Sequence, residues 1–179
     1  MLALAACGGE ERSEEPPDPA RESAHRPAAA PSGWRTVRNR AAGLSVSVPP
    51  GWSARVNGAA TLLRSRDRLM ALSLSADRSD VGRSLPVARY ARRTVGALPA
   101  FKGAPVKDLG RVRGSPYDSA LVQARSRRAI ERARVGAFRK DRSVTYTAVA
   151  FSNSRVAPRV NDGLLVRVLA SLRGRPPRI

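Results

Sequence analysis

From Trp34 onward, apolar and polar positions follow one another in short runs separated by turn residues. Leu44-Ser-Val-Ser-Val48 has strict period two and stops at Pro49-Pro50-Gly51-Trp52, which predicts a strand running into a tight turn. Ala59–Arg64 and Leu69–Ala76 predict a hairpin around Arg66-Asp67-Arg68. Met70, Leu72 and Leu74 should face inward, with Ala71, Ser73 and Ser75 outward. The period then changes. A helix is expected from Ser84, with Pro86 in its first turn. Leu85, Val87, Tyr90, Ala91, Val95 and Leu98 mark its apolar face, and Arg89, Arg92 and Arg93 fall largely on the other.

Four further strand-like runs follow, at Lys107–Arg113, Ser119–Arg127, Ala129–Phe138 and Ser143–Phe151. Gly114-Ser115-Pro116 and Lys140-Asp141-Arg142 supply turns. A closing helix is expected from about Pro158 to Leu172, with Val160, Leu164, Leu165, Val168, Leu169 and Leu172 on one side. Strands, helix, four strands and helix imply an α+β sandwich, a mostly antiparallel sheet whose apolar faces are covered by helices.

Gly43-Leu-Ser-Val-Ser-Val-Pro-Pro-Gly-Trp52 resembles the opening strand of PsbP-like domains, a family that includes DcrB and many actinobacterial lipoproteins. Gly114 before a strand, the Thr145/Tyr146 strand and Leu169-Ala-Ser-Leu172 in the closing helix fit the same layout. The resemblance spans about Trp34 to Leu172 in element order and implies an α/β/α sandwich. Members of that family are usually non-enzymatic accessory, assembly or binding factors, so the resemblance alone does not name a function.

Composition changes the picture in two places. The net charge is +19, yet Gly8–Ser32 carries six acidic and three basic residues, leaving +22 from Gly33 onward. That same segment holds no Ile, Leu, Val or aromatic residue, so it cannot bury enough apolar surface to offset its ordering entropy. It is expected to be a disordered tether with a span of roughly 25–30 Å. The basic residues beyond it are almost all Arg, and on and between two of the expected strands they cluster at Arg125, Arg127, Arg128, Arg132 and Arg134. Ile130, Arg132, Arg134, Gly136 and Phe138 would share one strand face and build a basic strip. Such a strip could bind a polyanion, or simply solvate the sheet edge and discourage edge pairing.

The chemistry-bearing residues are few. His25, the single histidine, falls in the tether, and there is no G-x-S-x-G elbow beside Ser115. No phosphate-binding glycine motif is present, and Asp77 with Asp80 reads as a solvated loop before it reads as a carboxylate pair. No catalytic residue, metal or cofactor is expected. Cys7, the single cysteine, excludes an intrachain disulfide. Leu4-Ala5-Ala6-Cys7 resembles the lipobox of bacterial lipoproteins, in which the cysteine becomes the acylated first residue of the mature chain. The six preceding residues lack the basic n-region and long apolar stretch of a secretory signal, which points to a true start further upstream.

The expected organisation is residues 1–7 as a signal remnant, 8–33 as tether, 34–175 as the folded domain and 176–179 as a tail. The expected function is that of a non-catalytic envelope lipoprotein, anchored on the extracytoplasmic face, whose basic domain meets an envelope protein, an anionic lipid or a cell-wall polyanion. The competing reading, a cytoplasmic nucleic-acid-binding domain, requires Met1 to be the true start and has little aromatic interleaving behind it.

Overall fold

A computed structural model describes residues 31–126, 131–139, 141–153 and 158–174. Among the described residues ten strands run in chain order: β1 (Arg35–Asn39), β2 (Leu44–Val48), β3 (Ser53–Asn57), β4 (Ala60–Arg64), β5 (Met70–Asp77), β6 (Val106–Asp108), β7 (Asp118–Arg125), β8 (Glu131–Arg139), β9 (Thr145–Asn153) and β10 (Arg173–Gly174). Three α-helices accompany them: α1 (Asp80–Ser84), α2 (Val87–Gly96) and α3 (Pro158–Ala170). The strands form a large sheet in the order β3-β4-β5-β9-β8-β7-β6 and a small one in the order β1-β2-β10. Every pairing is antiparallel, as consecutive hairpins require.

Alternation gives each face of the large sheet its own core. On one face, Leu63, Leu72, Leu74, Phe138, Tyr146 and Ala148 pack against Leu165, Val168 and Leu169 of α3 and Val46 and Val48 of β2. The opposite face, with Val122, Ala133, Val135 and Ala137, is covered by Val87, Ala91 and Val95 of α2. The four-residue spacing of those three places them on one stripe of the helix. The result is the expected α+β sandwich, with a second, small sheet added to the α3 layer.

The β2 strand ends as its sequence demands. Trp52 N–H donates to the Pro49 carbonyl at 3.3 Å, and Gly51 at φ 75° takes the position of a tight turn that favours glycine. The predicted hairpin also forms. Met70, Leu72 and Leu74 are buried, while Ala71, Ser73 and Ser75 are half-buried on the other face.

Three expectations need correction. Ser84 ends a helix instead of starting one. Ser79 caps the short α1, its Oγ accepting from Gly82 N–H at 3.1 Å, and α2 begins only after Pro86. The run Lys107–Arg113 is a strand only as far as Asp108. Gly110, at φ 80°, then turns the chain out of the ladder, although Leu109 N–H still donates to the Leu121 carbonyl at 2.8 Å. Strands β1, β3 and β10 were not anticipated.

Candidate functional site

The basic strip expected from the sequence falls on β8, and the register confirms the shared face. Arg132 pairs with Ser152 and Arg125, and Arg134 pairs with Ala150 and Gln123. That face, however, is the one α3 covers, so Arg132 and Arg134 are only 6% and 5% exposed. The expected exposed strip along β8 is therefore not formed by these two side chains. Arg125 is exposed, and Arg127 and Arg128 lie outside the described residues, as do Cys7 and His25. The exposed positive charge on this face instead lies one or two strands outward, at Arg125 on β7 and Lys107 on β6.

Where α3 meets the chain between β6 and β7, a cleft of about 400 Å³ opens. Its cationic members are Arg111, Arg113 and Arg134. Arg111 and Arg113 are exposed, whereas Arg134 is buried and its Nε donates to Gln123 Oε1 at 3.1 Å. The other described lining residues are Leu109, Leu121, Leu165, Val166 and Gly163, so none of the described lining residues is acidic. Gly110, at a positive φ that favours glycine, turns the chain just before Arg111 and Arg113, after its carbonyl has accepted from Leu121 N–H at 2.8 Å. Val112 between them is buried, and its N–H donates to Ser119 Oγ at 3.2 Å, so the two arginines project from an anchored segment. The sequence had assigned this stretch to a strand, which hid the convergence.

A second cleft of about 550 Å³ lies where α3 contributes Leu164, with Trp52, Met70, Leu69 and Arg66. Trp52 is buried in the core beside it and accepts through its carbonyl from Arg35 Nη2 at 3.0 Å. Trp34 packs against the same core while half-buried.

The catalytic candidates dissolve into structural roles. Asp77 accepts from Tyr90 Oη at 2.7 Å and from Ser79 N–H at 2.8 Å, while Asp80 pairs with Arg83 in solvent. The two carboxylates thus have separate partners. Burial pushes the Asp77 pKa up, but the hydrogen bonds from Tyr90 and Ser79 outweigh it and hold the group below the usual aspartate value. Ser115 Oγ accepts from Tyr117 N–H at 3.2 Å within a turn. Among the described residues no group of His, Cys, Asp and Glu converges to hold a metal ion, and no helix is long and apolar enough to cross a membrane.

No protein-family model matches the sequence, and no curated protein matches it. Solved structures do. CyanoP, the cyanobacterial PsbP of Synechocystis sp. PCC 6803, superposes with a TM-score of 0.55 at 14% identity, over 96% of this chain and 98% of its own. The Ran-binding protein Mog1p of Saccharomyces cerevisiae gives 0.55 at 11% identity, over 79% of this chain and 95% of its own. A protein of Bacteroides thetaiotaomicron gives 0.51 at 12% identity, and there the chain spans about half of the other's length, 48%. Identities this low speak to architecture alone. The chain has the α+β fold shared by PsbP and Mog1.

Proposed function

We propose that this chain is a non-catalytic binding protein of a bacterial cell envelope, lipid-anchored through Cys7 and using its basic domain to hold an anionic partner. The observation that carries the binding half is the cleft beside α3, whose described lining residues include three arginines and no acid. Arginine is the side chain suited to that task, because its planar guanidinium grips carboxylate or phosphate oxygens in pairs. Similarity of fold to a Ran-binding protein and to CyanoP agrees with a binding or accessory role. The anchor half rests on Leu4-Ala5-Ala6-Cys7 and on the acidic, apolar-poor stretch after it. A multiply acylated cysteine holds a membrane stably, where a single chain is marginal.

Two measurements test the two halves. Expression from the native locus with an alkynyl fatty-acid analogue should label the wild type and leave Cys7→Ala unlabelled; equal labelling would remove the anchor. Retention of the purified chain on anionic vesicles should exceed retention on neutral ones and weaken steeply with salt. Tighter binding to single-stranded nucleic acid than to any anionic vesicle or wall polymer would instead return the function to the competing class.

A further inference from the structure

The end strands of a sheet carry backbone groups that a further strand can take up. At one end of the large sheet, β6 is three residues long, with Pro105 before it and Gly110 at φ 80° shortly after it. The other end is β3, five residues with neither a proline nor an acid. Among the described residues, β3 pairs only with β4.

The register shows which groups of β3 face outward. Gly58-Ala59 form a two-residue turn, which makes Asn57 and Ala60 a hydrogen-bonded pair. Antiparallel pairs alternate, so Arg55–Leu62 and Ser53–Arg64 are hydrogen-bonded pairs too. Ala54 and Val56 therefore aim their N–H and C=O away from β4. Trp52, just before the strand, is already engaged: its N–H donates to the Pro49 carbonyl, and its own carbonyl accepts from Arg35. The open edge is thus the backbone of Ala54 and Val56. The Val56 side chain, 46% exposed, is the most exposed large apolar one among the described residues.

A second copy of this chain fits that edge poorly. Pairing two β3 strands over their full length sets Arg55 against the same arginine of the other copy, at the close, non-hydrogen-bonded position where like charges repel. The neighbouring β4 adds Arg64 and no acid. We infer that β3 takes up an extended acidic peptide as an antiparallel eighth strand, with a carboxylate across from Arg55 and an apolar residue on each side of it. Cross-strand neighbours share a face, so the carboxylate meets the exposed Arg55 while the apolar residues lie beside Ala54 and Val56. Backbone hydrogen bonds then supply affinity, and Arg55 supplies selectivity. Strands β3 and β6 end the sheet on opposite sides, so this edge is separate from the cleft beside α3 and does not depend on it.

An NMR titration of the isotope-labelled full chain with the end-blocked peptide Thr-Val-Glu-Val-Thr tests the inference. The amides of Ala54 and Val56 should shift most and gain protection from hydrogen exchange. Thr-Val-Lys-Val-Thr should bind about fivefold more weakly, since a repulsive cross-strand pair replaces an attractive one. Arg55→Glu, a change at an exposed side chain, should reverse that preference. Methylating both valine nitrogens of the glutamate peptide should abolish binding, because it removes the donors to the Ala54 and Val56 carbonyls.

No saturable shift at Ala54 and Val56, equal binding of the two peptides, or undiminished binding of the methylated one would each overturn the inference. A Val56 amide that shifts with protein concentration alone would assign the edge to a second copy and overturn it as well.

Discussion

The hydroxyl of Ser171 accepts a hydrogen bond from the backbone N–H of Ser47 at 2.9 Å, joining the turn after α3 to strand β2. Strand β10 pairs with β2 only at Leu44 and Ser45, so Ser171 takes up the ladder where β10 stops. The same hydroxyl donates to the Val168 carbonyl at 2.6 Å, which fixes its direction. Ser47 is buried, so its N–H has little access to water if this partner is lost. Ser171→Ala should destabilise the domain by about 1–3 kcal/mol, the usual range for an orphaned buried donor. Denaturant melting of the two proteins measures it, and a difference under ~0.5 kcal/mol would count against the assignment.

Gly174 sits against the ring of Tyr146, where an added Cβ would overlap Cε2. That ring is buried, and its hydroxyl donates to the Gly43 carbonyl at 3.1 Å, so it has no free direction in which to move. Gly174→Ala should therefore cost about 1–3 kcal/mol through overpacking. Gly163→Ala, at an open helical site, should be neutral or slightly stabilising. Melting the pair side by side separates a packing demand from a general intolerance of substitution at glycine.

The Asp77–Tyr90 contact yields a pH dependence. Because the folded pKa of Asp77 lies below its ordinary value of 3.8, the stability it contributes is fully present above that value. It fades as pH falls through the lower folded pKa. Tyr90→Phe removes the 2.7 Å hydrogen bond that helps hold the carboxylate ionised. The stability gap between wild type and Tyr90→Phe should be widest at neutral pH and narrow below about pH 4. Finding the same gap at pH 7 and pH 3 would remove Asp77 as its source.

Arginines of the cleft should divide by burial. Arg134→Ser breaks a hydrogen bond between a buried guanidinium and Gln123 and should destabilise the fold by about 1.5–3 kcal/mol. Arg111→Ser and Arg113→Ser remove exposed side chains and should stay within ~0.5 kcal/mol of wild type. Thermal melting decides this before any binding comparison is made. A binding defect seen only in Arg134→Ser would reflect folding.

The periodic segments were readable in one dimension because burial there follows a simple rule. Leu44–Val48 and Met70–Ala76 alternate, and Val87, Ala91 and Val95 recur at helical spacing, so each announces its element. Strands β1 and β3 were missed because they carry little of that signal. Arg35–Asn39 has one large apolar residue, Val37, and Ser53–Asn57 leaves Val56 46% exposed. Asn57-Gly58, directly before β4, was the available turn signal, and Gly58 indeed has φ 52°.

The candidate site divides in the same way. Local pattern was enough to say that Arg132 and Arg134 share a face, because side chains alternate along a strand whatever surrounds it. Whether that face meets water or a helix depends on where α3 docks, and a docking partner distant in the chain leaves no mark on the strand's own periodicity. Likewise, the excess of positive charge is plain from counting, but the meeting of Arg111, Arg113 and Arg134 around one cleft is not. It requires the turn at Gly110, the pairing of β7 with β8 and the path of α3 to act together. Burial and convergence are properties of chain segments meeting in space, and three-dimensional packing alone assigned them here.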